Sequence, residues 1–589
     1  LDFVVATPAA ADFDSILAEA ERRWQSLTNG DRPWIRVGTG LAGEAAGSFE
    51  VVSAVKSALQ ANGVAANVSE VGTLGLCFAE PLLDVQTPGG PRVFYQRVTP
   101  QIAEIIVSEH IVAGRPVPRY AIGYLGEPGA APDGIPDLND HPMLAQQQRI
   151  ALRNAGHIDP SDLYQYIANG GYAALNKALT AMTPDEARQE VLTSGLRGRG
   201  GAAFPAGVKW GFLAGNPDPN KYILCNCEEG DPGAFNDRGI LESDPATVVE
   251  GITIAGYACN ANRGYVFIRH GHNQPIDRTR AVIEQAYELG LLGQNILGSD
   301  FSFDVEVALT GDSYVSGEET ALMEAIEGKR SMPRYRPPFP AQVGVFGQPS
   351  NINNVKTLAY VPEIIARGGE WFSGIGTQPD PDNRINGSSG TAILCLSGDI
   401  TYPGLIEVPL GMTFRQVLFD MAGGVPNGKS MKLLQTGGPL GGVLSASDAN
   451  LDLVLDFDVF RAAGAILGSG GIIVCDEDTC AVDLTRNLIA FCQYESCGKC
   501  FPCRMGMSHL LEILERISNL EGTEEDLALM RNIGENMQAG SLCGHGQLGF
   551  NPVSSALRYF GDEFEAHIRD KRHTGDCPEQ VFSPKLTRR

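Results

Sequence analysis

Three cysteines in Glu495-Ser-Cys-Gly-Lys-Cys-Phe-Pro-Cys-Arg504 stand three residues apart, and Leu542-Cys-Gly-His-Gly546 places a fourth about forty residues later. Thiolates at that spacing can wrap one inorganic cube at the mouth of a helix, and the remote cysteine can close its fourth corner from a separate loop. Cys497, Cys500, Cys503 and Cys543 are therefore candidate ligands of a [4Fe-4S] cluster. Four thiolates also make a closed zinc site, but such sites usually pair two Cys-x2-Cys knuckles, so three tight cysteines and one remote favour the cube. Buried or disulfide-bonded cysteines would be the bland alternative, and this spacing fits it poorly. Cys475, Cys480 and Cys492 nearby read as buried structural thiols. His545 is either a hydrogen-bonding neighbour that tunes the cluster or a solvent-facing side chain.

Further upstream, Ser194-Gly-Leu-Arg-Gly-Arg-Gly-Gly-Ala-Ala-Phe-Pro-Ala-Gly-Val-Lys-Trp-Gly-Phe212 has glycines that let backbone amides approach a phosphate, while Arg199 and Lys209 add charge. A glycine-rich loop alone is weak evidence, because turns share its composition. Its context is stronger. Lys221-Tyr-Ile-Leu-Cys reads as a strand, and Asn226-Cys-Glu-Glu-Gly-Asp-Pro-Gly-Ala-Phe-Asn-Asp-Arg238 follows directly. Carboxylates at the carboxyl end of a strand sit where open α/β sheets bind ligands; in isolation they would read as a solvated loop. In Gly311-Asp-Ser-Tyr-Val-Ser-Gly-Glu-Glu-Thr320 the paired Glu318 and Glu319 start a helix, which the preference of acids for helix N-termini explains by default. Pro333-Arg-Tyr-Arg-Pro-Pro-Phe-Pro340 and Asn351-Ile-Asn-Asn-Val-Lys-Thr-Leu358 complete the set.

A chain of 589 residues should hold three to five domains to position these groups. Its net charge of -25 repels phosphate backbones, which argues against nucleic acid as a partner. No apolar run is long enough to span a bilayer, so no direct membrane insertion is expected. The opening Leu-Asp-Phe-Val-Val lacks an initiator Met and a signal-peptide layout, so the chain reads as trimmed. Sparse cysteines suit a reducing, cytoplasmic setting. Apolar spacing predicts a helix over 12–28, a strand at 33–39, a helix over 48–62, a strand at 65–70, a hairpin over 81–96 and a helix over 100–112. Residues 124–142 are dense in Pro, Gly and Asp and read as a linker. A βα alternation continues through helices at 184–193, 245–259 and 275–289 with a strand at 264–269. Short strands around one helix, 414–422, fill 392–467, and 481–570 is helical. Gly437-Gly-Pro-Leu-Gly-Gly442 could cradle a phosphate, though turn glycine explains it better.

The five ordered motifs from about residue 145 to 575 resemble the NADH-binding flavoprotein subunit of respiratory complex I and the diaphorase subunits of NAD-linked hydrogenases, formate dehydrogenases and bifurcating enzymes. The resemblance implies an α/β multidomain chain: a thioredoxin-like domain (1–123), a linker (124–144), a Rossmann-like FMN and NADH domain (145–385), a β-grasp domain (386–467), a helical [4Fe-4S] domain (468–575) and a tail (576–589). It also implies an FMN-dependent NADH dehydrogenase that passes single electrons to the cluster and on to a partner. Carried over, FMN would be held by Gly198, Arg199, Gly200, Lys209, Asn226, Glu228, Tyr314, Gly317, Asn353, Asn354 and Thr357. NAD(H) would meet Phe204, Phe212 and Phe339 around the adenine, and Glu229, Asp231, Glu318, Glu319 and Arg336, with Glu229 and Glu319 positioning the nucleotide. Hydride passes directly to flavin, so no side-chain acid or base is expected. The implied partners are a small thioredoxin-like [2Fe-2S] subunit and an iron-sulfur subunit that accepts electrons, since the chain stops twelve residues after Cys577 without a further ferredoxin-like domain.

Several positions depart from the family pattern. The thioredoxin-like region keeps Cys77 alone, with Thr73 in a ligand position and no cysteine in Gly38-Thr-Gly-Leu-Ala-Gly-Glu44, so it should carry no [2Fe-2S] cluster and serve in docking. Glu228 replaces Asp, Cys227 Ala, Ser316 Cys, Arg336 Lys, and Ala203 stands where Gly is common; the last matters if that residue needs positive φ. Arg269-His-Gly-His-Asn273 loses a carboxylate. Lys356 replaces Glu beside the FMN asparagines, and a cation there should favour reduced flavin and raise its potential. Two rivals stay open: a redox-inactive structural subunit, and an NADPH-using diaphorase with Arg336 as the candidate 2'-phosphate partner.

Overall fold

The computed structural model describes residues 12–127, 131–382 and 385–576. Trp34–Gly38 (β1) is buried along its length, pairs in parallel with Asn67–Val71 (β2) and antiparallel with Leu83–Gln86 (β3), and Arg92–Tyr95 (β4) and Ala121–Leu125 (β5) complete a sheet of order β2-β1-β3-β4-β5. Helix Ser48–Asn62 and the helical stretch from Pro100 to Val112 press Val51, Val55, Ile106 and Val107 onto it. Thr99 caps the latter by accepting from Ile102 N, with Pro at its first position.

Two expected boundaries move. Tyr124 pairs with Val93 in β5, and Leu138 and Met143 are buried with Leu76, Phe94 and Leu394, so both described parts of the expected linker are docked on the protein. The alternating apolar residues of Ala121–Leu125 supply that strand; the Pro and Gly around it hid the pattern. Helix Phe13–Thr28 buries Phe13, Ile16 and Ala20 with Leu163, Tyr166 and Ile167, and touches the N-terminal sheet through Trp24, whose ring meets Trp34 of β1 edge-on at 5.6 Å.

Four strands, Tyr222–Cys227 (β6), Arg263–Arg269 (β7), Asp304–Thr310 (β8) and Ser350–Asn354 (β9), form an all-parallel sheet of order β8-β7-β6-β9. Helix Pro245–Cys259 is apolar on nearly every face and correspondingly buried; Asp244 caps it by accepting from Thr247 N at 3.2 Å. After a small pair, Gly376–Thr377 (β10) with Ser388–Ser389 (β11), comes a third sheet of Thr391–Gly398 (β12), Gly404–Pro409 (β13), Met431–Thr436 (β14), Val443–Ser445 (β15) and Gly471–Asp476 (β16), ordered β13-β12-β16-β14-β15. The boundary expected at 467 would cut off β16, which lies at the sheet's centre. Its Gly-Ile-Ile-Val-Cys run is β-branched and needs strands on both sides. Buried Glu407 on β13 ties this sheet to the flanking segment by accepting from Ile150 N and Leu152 N, both at 2.9 Å.

Helices Ala481–Tyr494, Phe501–Ser518, Glu524–Gly540 and Asn551–Tyr559 follow, the third started by a capping box between Thr523 and Asp526. The expected tail beyond Asp576 lies outside the described residues. No helix among the described residues is long and apolar enough to cross a membrane.

Candidate active site

Parallel sheets leave their strand ends open at one edge, and here that edge gathers the motifs: Asn226 and Glu228 at the end of β6, Arg269 at that of β7, Asn353 and Asn354 at that of β9. The glycine loop folds over it, with Gly198 N donating to Phe204 O at 2.8 Å and Arg199 N to Thr357 Oγ1 at 2.9 Å. A Cβ on Gly200 would stand 3.1 Å from Asn354 Cβ, so glycine is what lets the loop lie this close. Among the described residues the amides of Gly200, Gly201 and Ala202 make no hydrogen bond, which leaves a cradle of donors suited to a phosphate. Ala203 does take positive φ, +54°. The left-handed region costs a non-glycine about 1–2 kcal/mol, and its buried methyl returns about 0.8 kcal/mol, so the departure from Gly is close to neutral.

Arg199 departs from its expected role. Its guanidinium is buried and donates to the carbonyls of Arg197, Thr391 and Ser389 at 2.9, 3.2 and 2.6 Å, joining the loop to β11 and β12, so that these three N–H groups are already engaged. Lys209 has Nζ 2.8 Å from Ile352 O and 3.2 Å from Glu319 Oε2. Asn226 Nδ2 donates to Gly317 O at 2.8 Å, Trp210 Nε1 to Asn353 Oδ1 at 3.0 Å, and Asn354 Nδ2 to Asp237 Oδ2 at 2.6 Å. Tyr314 donates its amide to Glu495 Oε2 at 2.9 Å, and its side chain is near enough to Asp231 to pull that carboxyl down against burial.

The acids divide by task. Glu229 spends both oxygens capping helix Asn236–Ser243, accepting from Asp237 N at 2.8 Å and Arg238 N at 3.0 Å, which does not match a direct role on ribose hydroxyls. Glu318 likewise caps helix Glu319–Ile326 with one oxygen, accepting from Thr320 N and Ala321 N at 2.9 Å. Glu319 bridges Lys209 and Arg336, the latter at 2.6 Å. Phe204, Phe212 and Phe339 are 47%, 59% and 54% exposed, too open for core packing and available as stacking faces.

Near this edge Glu228 Oε2, Asp231 Oδ1 and Ser316 Oγ are buried without a partner. Such atoms are costly unless a ligand satisfies them, and the polar edge of a flavin would. Burial pushes Glu228 up to about 8 against the pull of Arg269, whose NH1 lies 2.6 Å from Oε1. Lys356 corrects an expectation. It is fully buried, with Nζ 2.7 Å from Asp237 Oδ1 and 2.7 Å from Asn236 Oδ1, so its charge is matched and supplies no reason for a raised flavin potential. Asn236, Asp237 and Trp210 escaped the sequence reading, although the first two sit inside the quoted acidic motif.

Several buried carboxylates lie above their ordinary range, chiefly through burial: Glu80 at about 7 and Asp244 at about 6. Glu80 is protonated in the fold and ionised in the unfolded chain above the ordinary 4.5, so its stabilisation is complete below 4.5 and lost as pH rises through about 7. The thermal midpoint of Glu80→Gln should therefore gain on the parent as pH climbs through that window. A difference independent of pH would contradict the assignment.

The four cluster cysteines come together at helix starts: Cys500 precedes helix Phe501–Ser518, Cys503 lies in its first turn, and Cys543 precedes Gly544–Gln547. Cys503 interacts electrostatically with Cys497, Cys500 and Cys543. Among the described residues no three His, Cys, Asp or Glu side chains converge where a single ion could sit, whereas a cube offers four separate corners. Burial pushes Cys503 up to about 12 and Cys543 to about 11, so a metal centre would have to displace their protons. His545 is buried, its Nε2 2.8 Å from Cys492 O and its ring 5.7 Å from that of Tyr314. Cys475, Cys480 and Cys492 are buried in the helical core, and no disulfide joins the described residues.

Comparison with known proteins shows the family. Residues 191–363 match the Nuo51 FMN-binding domain, 483–567 the NADH-ubiquinone oxidoreductase-F iron-sulfur binding region, and 393–444 the SLBB domain. The NADP-reducing hydrogenase subunit HndC of Solidesulfovibrio fructosivorans is 48% identical over 442 residues, 75% of this chain and 87% of that protein. An F subunit of the NADH-quinone oxidoreductase of Rhizobium meliloti is 42% identical, covering 73% of this chain and 99% of its own length. Among solved structures, the NAD+-reducing [NiFe]-hydrogenase in the H2-reduced state matches with TM-score 0.63 and 26% identity, over 95% of this chain and 90% of that one. Fold and site thus define a flavoprotein that also carries an iron-sulfur cluster. The chain belongs to the family of NADH-quinone oxidoreductase F subunits and hydrogenase subunits of the same build.

Proposed function

We propose that the chain exchanges hydride between NAD(H) and FMN and passes electrons singly to its [4Fe-4S] cluster, as one subunit of a larger redox complex. Bound FMN supplies the step between a hydride pair and the single electrons a cluster accepts. Lys209 and the free amides of the glycine loop hold the phosphate; Glu228, Asn226 and Gly317 line the ring edge; the three exposed phenylalanines stack the adenine. Glu229 and Glu318 act through the helices they cap. The supporting observation is the place of Tyr314. It stands beside Asp231, whose titration it influences, and its ring lies 5.4 Å from Phe491 and 5.7 Å from His545, two residues from Cys543. The N-terminal sheet is read as a thioredoxin-like fold without a [2Fe-2S] cluster, the parallel sheet as Rossmann-like, and β12–β16 as a β-grasp domain. The partners are then a separate thioredoxin-like [2Fe-2S] subunit and an iron-sulfur subunit that takes the electrons.

NADH is the expected nucleotide. Arg336 is already matched by Glu319 at 2.6 Å and lies 3.8 Å from Glu318, so a 2'-phosphate would meet two carboxylates. Stacking a base on an aromatic face contributes about 1–3 kcal/mol. Phe212→Ala should therefore raise KM for NADH about tenfold with kcat and thermal midpoint nearly unchanged, since the ring is exposed. An unchanged KM in steady-state assays with an artificial acceptor would refute the nucleotide site, as would a parent that prefers NADPH.

A further inference from the structure

Helix Asn236–Ser243 joins the open edge of the parallel sheet to the N-terminal domain. Its first residues sit at that edge: Asn236 and Asp237 hold Lys356, Asp237 accepts from Asn354 Nδ2, and Asn236 Nδ2 donates to Ile393 O and Ser469 O at 2.9 and 2.7 Å. Its last residues lie in the N-terminal domain's two loops where the resemblance would put cluster ligands. Glu242 is buried there and accepts from Leu41 N at 3.0 Å, and a Cβ on Gly40 would come within 2.9 Å of its Oε2. Arg278 donates to Glu242 O and, at 2.7 Å, to Thr39 Oγ1, so one guanidinium grips the helix end and the first loop together. In the second loop a Cβ on Gly72 would fall 2.3 Å from Ser243 Cα, which shows backbone seated on the helix terminus. Eight residues of helix span about 12 Å and bend little, so displacement at one end is carried to the other.

We infer that the N-terminal domain, through Glu242, Arg278 and the loop at Gly72, positions helix 236–243 and thereby sets how tightly the chain holds its flavin. Thr39 and Thr73 stand in these loops where thiolates would be needed for a cluster, and the space beside them is taken by a carboxylate from the flavin domain. Glu242 is a positioning residue; it touches neither nucleotide nor flavin. The inference rests on Asn354 and its neighbours being flavin contacts.

The test uses the full-length holoprotein, with the FMN dissociation constant read from flavin fluorescence and the thermal midpoint measured alongside. Glu242→Ala and Gly72→Ala should each weaken FMN binding about tenfold, and Glu242→Gln, which keeps an acceptor for Leu41 N, should recover most of it. Arg92→Met is the control. It breaks the buried pair of Arg92 with Asp84 inside the same domain and the contact of Arg92 NH2 with Gly156 O at 2.6 Å, but touches neither Glu242 nor Ser243. It should lower the midpoint while leaving FMN affinity unchanged. If the helix-end variants bind FMN as the parent does, or if Arg92→Met weakens FMN as much as they do, the inference falls. A parent that releases no FMN on denaturation would overturn the flavin assignment itself, and the inference with it.

Discussion

Cys503→Ser should yield a yellow protein from which NADH still bleaches the flavin, while the paramagnetic signal of a reduced [4Fe-4S] cluster and electron delivery to the partner complex are lost. Cys503 is the ligand best placed for this test. It is buried in the first turn of helix Phe501–Ser518 and interacts with all three other cluster cysteines. Hydroxyl is a far poorer iron ligand than thiolate, and the Ser496 hydroxyl already lies 3.3 Å from that sulfur. Electron paramagnetic resonance of the NADH-reduced protein reads the outcome, and an unchanged signal would remove Cys503 from the ligand set. The flavin half should survive because its contacts come from the parallel sheet and glycine loop, which the substitution leaves alone.

Lys356→Met should be the most damaging single change outside the cluster. It leaves Asp237 buried with the Asn354 amide but without its cation, and breaking a buried pair of this kind costs about 3–5 kcal/mol. Because Asp237 also sits at the start of the helix capped by Glu229, the loss should appear as FMN release well before global unfolding. Lys356→Glu should be worse, placing a second carboxylate where Nζ now lies 2.7 Å from Asp237. Chemical denaturation with flavin fluorescence recorded in parallel separates the two events. A variant that keeps both FMN and stability would show that the pair contributes little.

Much of this organisation was legible in the sequence because its signals were local. The cluster spacing, the strand before Asn226, and the Pro-led helices at 184–193 and 245–259 are each specified by residues near one another in the chain, and the structure reproduces both helices with those bounds. The misplacements came from long-range contacts. Helix Phe13–Thr28 has an apolar face that any core could bury, and nothing within it reveals that the partner lies at Leu163–Ala168. β16 is needed at the centre of its sheet for reasons that β12 and β14 supply. Site residues followed the same rule. Motif order located the glycine loop and the paired acids, but not that Arg199 turns away to bind carbonyls or that Glu229 serves a helix, since both depend on what packs behind the motif. Lys356 is the sharpest case: its charge was legible, its partner Asp237 was not, and the partner reverses the electrostatic conclusion.

Whether one chain holds a flavin fed by NADH beside a [4Fe-4S] cluster, with no second cluster in its N-terminal domain, is open to direct measurement. Anaerobic reduction of the purified protein by NADH, followed by flavin, iron and acid-labile sulfide analysis and low-temperature paramagnetic resonance, decides it. FMN is expected together with iron and sulfide in the proportions of a single [4Fe-4S] cluster, and no [2Fe-2S] signal. A colourless protein, or one whose iron and spectrum require a [2Fe-2S] centre as well, would contradict it.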